Sequence, residues 1–235
     1  MSKFMSFFVT SFVDDYGDTE YMPTTAGYTA LVLLMVLLLG LGFAVFGGRK
    51  KMSAKQLAFS AIAIALAVVT STFCKIIHMP MGGSVTLFSM LFITLIGYWF
   101  GVGTGLCCAL AYGILQLIID PYILTLPQML VDYIFAFGAL GLSGLYTRKH
   151  KGAFSLQISY LIGVLGRYFF AFLSGWIFFG TYASYYGFKS GVVYSLAYNA
   201  CYIFAEAGIT LVVITIPPVT KGLKAITDMA CAERN

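Results

Sequence analysis

Charge is scarce in this chain. Only 10% of its 235 residues are Asp, Glu, Lys or Arg, against roughly 25% in a soluble domain. Hydrophobic residues make up 60% and the mean hydropathy is +0.90. A water-soluble core cannot absorb that excess, whereas a bilayer can. Histidine is nearly missing, and no C-x-x-C occurs. The five cysteines (Cys74, Cys107, Cys108, Cys201 and Cys231) are odd in number, and four lie in or beside apolar runs. Neither a disulfide framework nor a metal site follows, and small buried hydrophobes are the expectation. No G-x-x-x-x-G-K-[ST] loop is present, so ATP hydrolysis would have to reside in another chain. The formal charge of +5 is small, and its basic residues sit in short clusters between apolar runs. That pattern is a topology signal rather than a nucleic-acid patch. A cleaved secretory signal is not expected either. Residues 1–26 hold Lys3 and the acids Asp14, Asp15, Asp18 and Glu20, and the following apolar run ends in Gly47-Gly48-Arg49-Lys50-Lys51, the reverse of a signal's order.

What is present is a series of long apolar runs. A hydrocarbon core ~30 Å thick needs about 20 apolar residues per helix. Seven spans are expected, near 27–46, 56–74, 85–100, 102–119, 125–146, 154–180 and 192–216. The third and fourth are separated by Gly101-Val102-Gly103 and should form a tight helical hairpin. No internal repeat is visible.

Lys and Arg collect on the cytoplasmic side of membrane proteins. With the N-terminus outside, the inner segments hold Arg49, Lys50, Lys51, Lys55, Arg148, Lys149, Lys151, Lys221, Lys224 and Arg234, and the outer ones Lys3, Lys75 and Lys189. The asymmetry predicts an outer N-terminus and a cytoplasmic C-terminus. The outer loops are then 75–84, 120–124 and 181–191, rich in Gly, Pro and Tyr, as a binding face would be.

Three ionisable residues fall inside spans: Asp132, Arg167 and Glu206. Such groups are costly and usually functional. At 1.5 Å per residue, Asp132 and Asn199 lie ~10 Å below the outer helix ends. With Tyr133 and Tyr194 they form a layer suited to a flat organic cation, the carboxylate supplying charge and the rings cation–π contact. A packing hydrogen bond from Asp132 to Gln128 is the competing expectation. Arg167 and Glu206 each lie ~18 Å down consecutive antiparallel helices, which predicts a structural ion pair closing the floor of the site; a proton relay is the alternative. Ser195, Asn199, Tyr202 and Glu206 form one polar stripe at helical spacing. On the alanine-rich second span, Ala61/Ala65 and Ala63/Ala67 are small-xxx-small pairs that permit close helix approach, either within the bundle or to a partner protein. The string Gly141-Leu142-Ser143-Gly144 could suggest a serine nucleophile, but His78 is expected outside and His150 in an inner loop. Helix packing explains it better.

The stretches MPMGGSVTLFSM (79–90), QLIIDPYILTLPQMLVDYIFAF (116–137), GRYFFAFLSGWIFFGTYA (166–183) and YSLAYNACY (194–202) resemble the thiamine-specific substrate-binding subunits of energy-coupling factor (ECF) transporters. The resemblance implies an all-α integral membrane fold of six core transmembrane helices, here preceded by one extra N-terminal helix. It divides the chain into an outer tail, extra helix and inner loop (1–54), a vitamin-binding domain (55–220) and a short cytoplasmic tail (221–235). It implies thiamine capture from outside by Tyr122, Asp132, Tyr133, Tyr194 and Asn199, and docking through Ala61 and Ala65 to a transmembrane coupling subunit that works with two ATPase subunits. No cofactor, metal or nucleic acid is implied, and no enzymatic activity. Two departures, Ala171 where the family commonly has histidine and Phe179 where some members have tryptophan, extend the expected ligand to a close analogue of thiamine. A stand-alone cation-coupled carrier is the alternative function, although such carriers usually show internal repeats.

Overall fold

Helix α1 (Lys3–Phe8) and the antiparallel strands β1 (Val9–Val13) and β2 (Thr19–Pro23) open the chain. The structure, a computed structural model, describes residues 3–13, 19–27, 29–30, 33, 52–150, 152 and 154–232. The expected first span, 27–46, therefore lies outside the described residues except for 27, 29–30 and 33, and so do Asp14, Asp15 and Asp18.

Helix α2 (Ala54–Phe73) starts at a capping box: Ser53 Oγ accepts from Gln56 N, and the Gln56 side chain accepts from Ser53 N, which satisfies two otherwise orphaned donors. Its alanines divide by face. Ala63 and Ala67 are buried against the bundle, while Ala61 and Ala65 are exposed. Past Cys74 the chain forms a short hairpin, β3 (Lys75–His78) and β4 (Ser84–Thr86), around a Pro80–Gly82 turn. Gly82 has φ +85°, and a Cβ there would lie 3.2 Å from the Tyr122 ring, so glycine answers both a left-handed backbone and a close approach.

The hairpin corrects the expectation of a loop ending at 84 and a span from 85. The next helix, α3, runs Ser89–Phe100 because Phe88 takes a left-handed φ of 63° that separates it from β4. Although only 12 residues long, α3 has ten buried residues and is the central helix of the bundle. Gly101 (φ +89°) turns the chain directly into α4 (Val102–Ile119), the tight hairpin expected. Helix α5 (Leu126–Leu145) changes pitch along its length, widening to π geometry over Leu130–Ala136 and tightening to 3-10 over Ala139–Leu145. Its Gly141 and Gly144 lie against the Gly101–Leu106 start of α4, and Ser143 Oγ donates to Thr94 O at 2.9 Å. The Gly-x-Ser-Gly string is thus a packing seam. Helices α6 (Ser155–Phe179) and α7 (Gly191–Thr215) complete the bundle.

Helices α2, α4, α5, α6 (with its Gly180–Ala183 extension) and α7 are long and apolar enough to cross a membrane, and α3 is apolar but shorter. Their outward faces carry Leu57, Val69, Phe169, Trp176, Ile177 and Val212, as hydrocarbon contact requires. The protein is a multi-pass membrane protein. After Ile216 the chain forms helix α8 (Pro217–Cys231), which takes in most of the short tail expected from 221. Thr227 Oγ1 accepts from Trp99 Nε1 at 3.0 Å, Lys55 Nζ donates to Ala232 O and Arg148 to Cys231 O. Cations on the last carbonyls complement the helix dipole. The basic residues Lys55, Arg148, Lys221 and Lys224 thereby share one end of the bundle.

Candidate functional site

The opposite end holds a cavity, lined by the β3–β4 hairpin, the ends of α2 and α4, the start of α5, and one face each of α6 and α7. The segment before α5 is built around Gln128, which is 1% exposed. Thr125 caps the helix by accepting from Gln128 N at 3.2 Å. The Gln128 side chain accepts from Leu124 N (3.0 Å) and donates to Tyr122 O (3.0 Å) and to Asp132 Oδ2 (2.6 Å). One buried amide therefore fixes the 120–124 loop and aims the carboxylate. The packing bond expected for Asp132 is present, and the half-buried carboxylate also lines the cavity.

Tyr133 lines the same cavity, but its hydroxyl serves the loop, accepting from Tyr122 N at 2.7 Å and donating to Asp120 O at 2.9 Å. Its ring stacks on Phe137, with centroids 6.2 Å apart. Asp132 and Tyr133 are adjacent residues, and they lie in the π-helical turn, a feature common at functional sites. At the mouth, Asp120 pairs with Lys75 of β3, the one ion pair among the described residues.

Helix α7 supplies the facing wall. Tyr194 is 2% and Asn199 4% exposed, and both line the cavity. Asn199 Oδ1 accepts from Tyr202 OH (2.8 Å) and its Nδ2 donates to Ser195 O (2.9 Å), while Ser195 Oγ donates to Phe172 O (2.7 Å) and ties α7 to α6. The approach is close because α6 has Gly175 there; a Cβ would lie 2.8 Å from Asn199 Nδ2. Aromatic rings continue around the rim: Tyr122 stacks on Phe179 (6.0 Å, 25°) and Tyr186 on Tyr194 (5.7 Å, 9°). Ala171 also faces the cavity.

The structure therefore brings Tyr122, Asp132, Tyr133, Tyr194 and Asn199 to one cavity. It does not form the expected ion pair of Arg167 with Glu206. Glu206, 2% exposed, turns to the start of α3: Oε2 accepts from Thr86 Oγ1 (2.6 Å), and Oε1 from Ser89 Oγ and Met90 N (both 3.0 Å). Arg167 instead lines the cavity, its guanidinium carbon 4.4 Å from the Phe137 ring centroid, within cation–π range. The cavity also takes in Gln128, Arg167, Lys75 and the hairpin residues Gly82–Ser84, where the sequence offered Gln128 only as a packing partner of Asp132, Arg167 only in an ion pair at the floor, and the others only as part of the 75–84 outer loop. The unbroken segment from Asp120 to Asp132 was the available signal for the first. His150 stacks on Tyr146 at the basic end, remote from the cavity.

An apolar helical bundle with an aromatic cavity, containing a carboxylate and opening at one end, defines a membrane protein that captures a small solute. Residues 57–225 match the family model described as thiamine transporter protein. The chain is 35% identical over 185 residues to the thiamine transporter ThiT of Bacillus subtilis (strain 168), covering 71% of this chain and 92% of that one. In fold it is similar to the solved structure of ThiT from Listeria monocytogenes, with a TM-score of 0.61 over 74% of this chain and 96% of that chain at 23% identity. The chain belongs to the thiamine transporter family, whose members are transport proteins rather than enzymes.

Proposed function

We propose that residues 55–220 form the vitamin-binding unit of an ECF-type importer, which captures thiamine or a close analogue from the extracellular side. The observation that carries this reading is the cavity itself. Asp132 stands among Tyr122, Tyr133, Tyr194 and Phe179, at the end of the bundle opposite Lys55, Arg148, Lys221 and Lys224. Basic residues are retained inside, so the cavity faces out. A thiazolium ring is a permanent, flat cation. Asp132 would balance its charge, the rings would sandwich it, and the Asn199–Tyr202 pair would meet the polar groups of the second ring. Uptake would be driven by separate coupling and ATPase subunits, with the exposed Ala61 and Ala65 on α2 as the face of closest approach.

Titration of the purified chain with thiamine, followed by Tyr and Trp fluorescence, tests this beside Asp132→Asn. Binding that the variant weakens strongly is the expected result. Equal binding by both would remove Asp132 from its role, and a folded protein that ignores thiamine would turn the search to other cationic heterocycles.

A further inference from the structure

Glu206 is a membrane-embedded carboxylate whose expected partner is elsewhere, and the question is what holds it and what it holds. Its two oxygens take three hydrogen bonds, all from residues 86–90. Helix α3 begins there without a cap of its own, since Phe88 at its N-cap position offers no side-chain acceptor. A helix start leaves donors unsatisfied and attracts negative charge. Glu206 answers both needs from a different helix. Thr86 Oγ1 and Ser89 Oγ lie 2.8 Å apart, so the carboxylate closes a small ring of hydroxyls at the root of β4.

Three residues upstream of Thr86, Gly83 N donates to Tyr198 OH at 3.2 Å, and the same hydroxyl bonds Pro80 O. Tyr198 and Glu206 lie two helical turns apart on α7. That helix therefore grips the hairpin at its tip and at its root, and Gly82, Gly83 and Ser84 between the grips form part of the cavity wall. Resting on the capture reading of this cavity, we infer that Glu206 is a positioning residue. It holds the Thr86–Met90 corner in place, and through it the hairpin wall over the ligand.

The test is hydrogen–deuterium exchange on the full chain in nanodiscs without ligand, followed by thiamine association and release rates. Glu206→Gln removes the negative charge and turns one of the two accepting oxygens into an amide NH2, so the bonds to Thr86, Ser89 and Met90 are no longer made to a charged group. Amides of residues 84–90 should exchange about tenfold faster, the change expected when a hydrogen bond to a charged group is lost. The buried amides of α4 and α6 should keep their wild-type rates, and thiamine should leave faster while associating at nearly the same rate. Unchanged exchange at 84–90, or acceleration spread through the whole bundle, would overturn the assignment and leave Glu206 a general packing group. Thr86→Val removes one donor only; if Glu206→Gln does not fold, the same local pattern in Thr86→Val supports the inference and wild-type exchange there overturns it. Wild-type protein that binds no thiamine would defeat the proposed ligand, while the exchange data would still decide on Glu206.

Discussion

Asp132 answers both to Gln128 and to the cavity, and the two demands predict different mutants. Asp132→Asn keeps an acceptor for Gln128 and loses the charge, so thiamine affinity should fall about 10- to 100-fold, in line with the worth of a hydrogen bond to a charged group; isothermal titration gives the number. Gln128→Leu removes the tie to Tyr122 O and Leu124 N as well. It should lower thermal stability by about 1–3 kcal/mol, the penalty of unsatisfied buried groups, read from unfolding in detergent. Asp132, Tyr194 and Asn199 were legible because polar groups in an apolar span stand out and depth follows from the helical rise. The Arg167–Glu206 pair was not. Rise fixes depth but says nothing of azimuth: the two residues lie at similar depth, yet Arg167 turns to α5 and Glu206 to α3.

At the scale of elements, the α6–α7 seam depends on a missing side chain. Gly175→Val would place two methyls against Ser195 and Asn199. Overpacking of about 1–3 kcal/mol is expected, with loss of thiamine binding in the fraction that stays folded, measured by thermal unfolding and titration on the same sample. The helices themselves were readable from composition, and the α3–α4 turn from its glycines. The β3–β4 hairpin was not, because strands of four and three residues carry too little alternation to register against a neighbouring apolar run. Nor was the π turn in α5, since one extra residue per turn leaves no compositional trace. Helix α8 is amphipathic and short of a full span, so a search for 20-residue apolar runs passes over it.

Across the whole molecule, loop composition set the basic clusters apart from the Tyr- and Gly-rich loops; the structure adds that Lys55 and Arg148 fasten α8 to the end remote from the cavity, while Lys75 and Arg167 line the cavity itself. The exposed alanine stripe of α2 makes a prediction at this scale. Ala65→Leu should reduce co-purification with a coupling subunit several-fold while the isolated chain titrates thiamine as before; undiminished complex formation would place docking on another face. The unpaired disposition of the membrane charges has an electrical consequence. Asp132, Arg167 and Glu206 sum to one net negative charge in their ionised forms, and a thiazolium ring brings that sum to zero. Moving one elementary charge across the whole membrane is worth about 2.3 kcal/mol per 100 mV. Were the proposed capture unit to carry its ligand through that field, voltage would act on the net charge of the empty bundle and not on the neutral sum of the loaded one.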